Sequence, residues 1–329
     1  HFGNKGNSRQ FNQDCDRFVD WFIKDAQSRN CETFIFMGDW HHHRATINID
    51  TLGYSLRALE KLANAFEQSF FILGNHDLYF KDSRAVNSVE WAKNIPNLQI
   101  IHEPLIKEDC AFIPWLVGDE WKELKEAKSM PYVFGHFELP HFLMNAMVSM
   151  PDTNELRAEH LEHHDYVFSG HFHKRQIKNN IHYLGNPFPH NYADVDDDDR
   201  GMMILEHGKE PVYFNWGNCP KYRNVKLSTL LDKTKEIMKS KMHLRVTLDI
   251  DISFEEASFI KETFMKEYGC REITLIPNKK DEEINTDIDI TKFESVDQIV
   301  SKEIESIESD AYDKQVLLGI FRDLNNDTN

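Results

Sequence analysis

The sequence predicts an α/β fold, and three observations carry that reading. Amphipathic helical patterns alternate with short apolar runs through the first two thirds of the chain. The first two of these runs flank a helical segment, the β-α-β order that goes with a parallel sheet. The 329 residues, 40% hydrophobic and 12% aromatic, suffice for one large core plus an appendage.

Phe11, Cys15, Phe18 and Phe22 recur at helical spacing and predict the first helix. Residues 33–37 follow as a buried-strand run ending at Gly38-Asp39. Ile49, Leu52, Leu56, Leu59, Ala63 and Phe66 mark a second amphipathic helix. Residues 69–73 form the next strand, ending at Gly74-Asn75. Beyond residue 95 the pattern is richer in strands, at 98–101, 110–113, 132–134, 166–168, 182–184, 202–205 and 212–214, with an acidic helical segment at 119–128. The composition changes near residues 217–222. Past that point a strand at 244–252, a helix at 254–268 and a strand at 272–276 make a small separate α/β unit. From Lys279 the chain is polar and acidic, then amphipathic from Val296 to Leu324. The expected division is 1–217, 218–278 and a helical segment 279–329.

The net charge is −17, unevenly placed: residues 281–329 hold 14 acidic and 4 basic side chains, leaving −7 for the rest. Affinity for a phosphate backbone comes from Lys and Arg, so this balance points to another subunit for much of any such grip. The most basic stretch is 221–245, with Lys221, Arg223, Lys226, Lys233, Lys235, Lys239, Lys241 and Arg245. It reads either as phosphate contacts or as an ordinary solvated helix face. Five scattered cysteines with no C-x-x-C pair fit reduced thiols and a cytoplasmic setting. No apolar run approaches the roughly 18–20 residues of a membrane span, and no secretory signal segment is seen. A phosphate-binding Gly-x-x-x-x-Gly-Lys-[Ser/Thr] loop and a Gly-x-Ser-x-Gly elbow are both lacking, which argues against ATP binding and serine hydrolase chemistry.

Four strand runs end alike: at Gly38-Asp39, at Gly74-Asn75-His76-Asp77, at Gly135-His136 and at Gly170-His171-Phe172-His173. Each puts a glycine, then a metal-competent side chain, just past the carboxyl end of a strand, the edge where open α/β sheets bind ligands. Imidazole, carboxylate and amide oxygen suit Mn²⁺, Fe²⁺ or Zn²⁺. Any one of these endings is an ordinary turn; all of them together, in this order, are hard to explain as turns.

The set resembles the calcineurin-like metallophosphoesterase superfamily, whose pattern is Asp-x-His, Gly-Asp, Gly-Asn-His-Asp, Gly-His and Gly-His-x-His. His1-Phe2-Gly3 looks like the tail of the Asp-x-His-Leu-Gly opening of the SbcD-like DNA double-strand-break repair nucleases. Gly135–Leu139, Tyr183–Pro187 and Asp199–Gly201 are similar to the phage recombination endonuclease/exonuclease subunits of that group. The resemblance implies a β-sandwich flanked by helices, a DNA-capping α/β unit, and hydrolysis of phosphodiester bonds with two divalent ions. Mn²⁺ is the first choice, with Mg²⁺, Fe²⁺ or Zn²⁺ as alternatives. His1, Asp39 and His173 would hold one ion, and Asp39, Asn75, His136 and His171 the other, with Asp39 bridging. An Asp two positions before His1 would complete the set, which puts the opening strand outside this sequence. His76 would sit over the scissile phosphate, and a hydrogen-bonding role behind the ligands is its plainer reading. Asp77 would orient His76. His42, three positions after the bridging Asp, would lie near the substrate, while solvated surface is the plainer reading for His41 and His43.

The resemblance also implies DNA ends and single strands as substrate, a homodimer, and an SMC-like ATPase partner docked by the C-terminal helices. Packing of those helices on this chain's own core is equally compatible with their sequence. The rival functions are another calcineurin-like phosphatase or phosphodiesterase, and a non-catalytic subunit with a degenerate metal site. His160, His163 and His164 are expected to be exposed on an acidic helix, and His141 and His190 carry no motif. Asp196–Asp199 reads as a solvated acidic loop in preference to a cation site.

Overall fold

The computed structural model describes residues 1–124, 127–145, 148–153 and 155–277, so the expected C-terminal helical segment 279–329 lies outside the described residues. After a kinked turn, α1 (Asn4–Asn7), comes α2 (Arg9–Ser28), capped by the Ser8 hydroxyl accepting the Phe11 N–H. Strand β1 (Thr33–Phe36) leads to α3 (Ile49–Ala65), capped by the Asn48 side chain, and then to β2 (Gln68–Ile72). A hairpin, β3 (Leu78–Phe80) and β4 (Ser83–Asn87), precedes β5 (Leu98–Ile101). Strands β1, β2 and β5 form a parallel three-stranded sheet.

The second sheet uses β6 (Leu105–Lys107), β7 (Cys110–Ile113), β8 (Tyr132–Gly135), β9 (Tyr166–Ser169), β10 (Gln176–Lys178) and β11 (Ile181–Tyr183), with the short α4 (Trp121–Leu124) between β7 and β8. Its order is β10-β11-β9-β8-β7-β6, parallel inside and antiparallel at both edges. An antiparallel pair follows, β12 (Gly201–Ile204) and β13 (Val212–Asn215). The last described part is a parallel three-stranded sheet of β14 (Lys221–Lys226), β15 (Met242–Leu248) and β16 (Glu272–Pro277). Helices α5 (Leu227–Asp232), α6 (Thr234–Ile237) and α7 (Phe254–Tyr268) connect these strands. Helix α7 starts with a Ser253/Glu256 capping box and ends at Gly269 in the left-handed region.

Alternation along the strands explains the layering, because successive side chains point to opposite faces. Phe70, Ile72, Phe112, Phe134 and Phe168 come from both sheets and pack together as the layer between them. Phe34, Phe71 and Leu73 face the other way, onto Phe11, Val19, Leu59 and Leu62 of the helices. Val133, Val167 and Ile181 bury against Phe137, Leu139 and Leu161 on the outside of the second sheet. A sandwich of two sheets with helices on its flank is the class expected. Residues 225–275 bury their own apolar cluster around Leu227, Leu244, Val246 and Phe264. Among the described residues no helix is long and apolar enough to cross a membrane.

The structure corrects several expectations. Helix α3 turns Thr51, Ser55, Ala58, Leu59 and Leu62 inward and leaves Ile49 87% exposed. Its first turns bury hydroxyls because Ser55 holds Trp40 and His41 and Thr51 holds Asn12. His41, read as surface, is therefore buried between Ser55 and Ser88. Of the histidines near residue 160, His160 ends a single 3₁₀ turn and His163 and His164 follow it; His164 is buried, accepting the Met130 N–H. The 221–245 stretch begins as strand β14, not as a helix face. Asp197 and Asp198 are not solvated: they pair with Lys174, Arg200, Lys221 and Arg223. Burial pushes the Asp198 carboxyl up, but the hydrogen bonds from Arg223 and Lys221 outweigh it and hold it below the usual range.

Arg200 is fully buried and pairs with Asp194 at 3.1 Å and Asp197 at 2.9 Å. Removing one partner of such a pair strands the other charge in the interior, at a cost of roughly 3–5 kcal/mol. Arg200→Ala is expected to lower the unfolding free energy by about that much, read from urea denaturation. A loss below about 1 kcal/mol would mean that water reaches Asp194 after all.

Candidate metal centre

The candidate ligands stand on loops at the carboxyl ends of β1, β2, β8 and β9. Gly38, at φ +90°, takes a conformation that side chains resist, and a Cβ there would collide with His136. A Cβ on Gly170 would strike the Met37 carbonyl and crowd His136. Both positions let backbone and imidazole meet at one point. Asp39 at φ +65° and His171 at φ +77° are also left-handed, conformations costing on the order of 1–3 kcal/mol that surrounding contacts must hold.

Asp77 supplies much of that hold. Its buried carboxylate accepts the backbone N–H groups of Asp39 and Trp40 at 2.8 Å and of Gly74 at 2.9 Å, tying two loops together. Its hydrogen bonds go to backbone and not to the His76 ring, so the expectation that Asp77 orients His76 is corrected. The His76 Nδ1 instead donates to the His42 carbonyl at 2.8 Å. Burial, then the charge of Asp39, push the Asp77 carboxyl up to about 6.

Three donor atoms converge beside Asp39. Asn75 Oδ1 is 3.1 Å from His136 Nε2 and 3.1 Å from His171 Nδ1. The two imidazole nitrogens are 3.3 Å apart, and His136 Nε2 is 3.4 Å from Asp39 Oδ2. The opposite nitrogens are committed elsewhere, since His136 Nδ1 donates to the Met37 carbonyl at 2.6 Å and His171 Nε2 to Glu138 at 3.0 Å. In the neutral rings the facing nitrogens therefore carry lone pairs. Lone pairs so close repel unless a cation lies among them. Ligands about 2.0–2.1 Å from one ion stand about 3.3 Å apart in tetrahedral geometry, so the donor set fits a divalent cation. Burial alone would pull the His136 imidazole down, but the Asp39 carboxylate raises it, a sign that positive charge is favoured at this point.

A second group adjoins the first. One nitrogen each of His1, His42 and His76 lies within 4.8 Å of the others, as do the ligand atoms of Asp39, His136 and His171. His1 Nε2 is 3.9 Å from the same Asp39 Oδ2 that faces His136. One carboxylate oxygen thus stands between the two groups, while Asp39 Oδ1 accepts the His76 backbone N–H at 2.8 Å. His173 joins through its ring, 5.4 Å from that of His1, without entering the trio. Burial drives His42 and His173 down to about 4, which keeps them in the neutral form that binds cations. The His1 Nδ1 and His42 Nδ1 atoms are buried without hydrogen-bond partners, as unfilled donor positions would be.

A model of the calcineurin-like phosphoesterase family matches residues 12–175. The chain carries a calcineurin-like phosphoesterase domain. Exonuclease subunit 1 of Enterobacteria phage T4 is 26% identical over 211 residues, a match covering 62% of this chain and 61% of that protein. The match supports a hydrolase acting on phosphoester bonds; the family uses divalent metals, and the two His/Asp groups above are candidate ligand clusters.

In the phosphoesterase domain, Asp39, Asn75, His136 and His171 come together as one group and His1, His42 and His76 as another, while His43 is exposed. Three neighbours were missed. Glu138 bonds His171, Trp115 packs its ring 5.2 Å from that of His171, and His190 is buried 5.6 Å from His1 and 5.7 Å from His173 by ring centroids. His190 follows Pro189 in a loop without motif, and only tertiary packing brings it inward. Glu138 had a usable signal, since ligating imidazoles need an outer acceptor.

Proposed function

We propose that this chain is the nuclease subunit of a DNA recombination or repair complex, hydrolysing phosphodiester bonds in DNA with two Mn²⁺ ions. The observation that carries the reading is the Asp39 Oδ2 position, 3.9 Å from His1 Nε2 and 3.4 Å from His136 Nε2. A shared carboxylate oxygen between two imidazole groups is what a paired-ion site requires. His1, Asp39 and His173 would hold one ion, and Asp39, Asn75, His136 and His171 the other. When bound, such a pair supplies hydroxide at neutral pH and neutralises charge on the phosphoryl oxygens.

The side chains do the rest. The carbonyl of His42 accepts the Nδ1–H and fixes the His76 ring, so that the doubly protonated ring would give its Nε2 proton to the departing oxygen and return to the neutral form. The ring of His42 lies nearly parallel to that of His76, 5.8 Å away between centroids at an interplanar angle of 17°. Trp115 packs its ring against those of His136 and His171, 5.9 and 5.2 Å away between centroids. Similarity to the phage exonuclease subunit supports exonuclease chemistry, and the net charge of −17 supports a partner that grips DNA, proposed as an SMC-like ATPase. A homodimer and action in bacterial cytoplasm belong to the same proposal.

The test compares labelled linear DNA with p-nitrophenyl phosphate, each with Mn²⁺, and single-stranded with duplex substrate. Preference for DNA by at least about 100-fold in kcat/KM is expected, about 2.7 kcal/mol of differential transition-state binding. Equal or greater turnover of the monoester would replace the nuclease reading with that of a phosphatase.

A further inference from the structure

We infer that Glu138 is a positioning residue of the metal centre: it fixes the tautomer of His171 so that Nδ1 presents its lone pair to the ion. The inference rests on the metal reading above and extends it to a residue outside the ligand set. An ionised carboxylate only accepts hydrogen bonds, so the 3.0 Å contact between Glu138 Oε2 and His171 Nε2 makes Nε2 the protonated nitrogen. The other nitrogen, Nδ1, is the one 3.1 Å from Asn75 Oδ1 and 3.3 Å from His136 Nε2. A ring free to exchange its proton would present N–H to the ion for part of the time, and that form cannot ligate.

The placement of Glu138 is built in. The backbone one residue earlier is clamped at both polar groups: the Phe137 N–H donates to Ser169 Oγ at 2.9 Å, and the Phe137 carbonyl accepts the Tyr183 hydroxyl at 2.9 Å. Phe137, Ser169 and Tyr183 are all buried. Ser169 ends β9, two residues before His171, so carboxylate and imidazole are set by neighbouring strands of one sheet. His136 reaches the same result differently, using the Met37 carbonyl as its acceptor. His171 sits in the left-handed region, and its acceptor is a side chain.

The test is a Mn²⁺ titration of the full chain, following free Mn²⁺ by electron paramagnetic resonance, together with melting of the metal-free protein. Glu138→Ala is expected to weaken one Mn²⁺ site about 10–100-fold, the usual effect of removing an outer partner of a ligand. Glu138→Gln, whose amide oxygen still accepts the Nε2–H, is expected to stay within about threefold of wild type. Unchanged affinity in Glu138→Ala at wild-type melting temperature would overturn the inference. His171→Ala is the control: if it also leaves Mn²⁺ binding intact, the metal reading itself fails. If Glu138→Ala melts early, the histidine ¹⁵N spectrum of the metal-free wild type decides, with the His171 signals assigned by their loss in His171→Ala. An Nε2-protonated ring is expected, and an Nδ1-protonated or exchanging ring would overturn the proposal.

Discussion

Asp39→Asn is expected to weaken Mn²⁺ binding by more than about 100-fold, beyond the range for outer partners, and to cut hydrolysis on the order of a thousandfold or more. The carboxylate is 6% exposed, and its Oδ2 is the atom that faces both imidazole groups. Asparagine keeps the shape and keeps an oxygen for the His76 N–H, so the metal-free fold should survive. What disappears is the negative charge between the two groups. The measurement pairs a binding isotherm with a melt of the metal-free protein. Binding at wild-type strength would remove Asp39 from the ligand set and with it the two-ion arrangement.

His76→Ala should separate chemistry from binding. Loss of a positioned proton donor costs about 10²–10⁴-fold in rate. Mn²⁺ affinity should move by no more than about threefold, because the ring is assigned to the departing oxygen and not to an ion. The alternative is visible in the geometry, since His76 shares a 4.8 Å group with His1 and His42. If affinity and rate fall together, His76 is a ligand and the proton must come from elsewhere. Bis-p-nitrophenyl phosphate is a suitable substrate for the comparison, because its departing phenolate needs little protonation. The variant should lose less on it than on DNA.

The framework was legible because its chemistry is local. A buried run, a glycine and a metal-competent residue are adjacent in sequence, so β1, β2, β8 and β9 and their loops could be read directly. The first face of α3 could not, because its inward residues at the start are Thr51 and Ser55, whose partners are distant in the chain. Strand β14 was hidden by its charges: Lys221 and Arg223 look solvated until Asp198 is seen beneath them. The role of Asp77 was misjudged for a similar reason. Proximity in sequence favoured His76 as its partner, while its real partners are the backbone of residues 39, 40 and 74.

The sheet of residues 221–277 is wired to the wall of the metal centre. Arg271, at the start of β16, pairs with the buried Asp14 of α2 at 2.8 Å. Tyr222 donates to the carbonyl of His190 at 2.8 Å and receives Lys5 from the loop that follows His1. Swinging that sheet away would leave the buried Asp14 carboxylate with Arg17 as its ion-pair partner and unpin the loop that carries His190. It is therefore a fixed jamb and not a door: its place beside the metal centre is set when the chain folds.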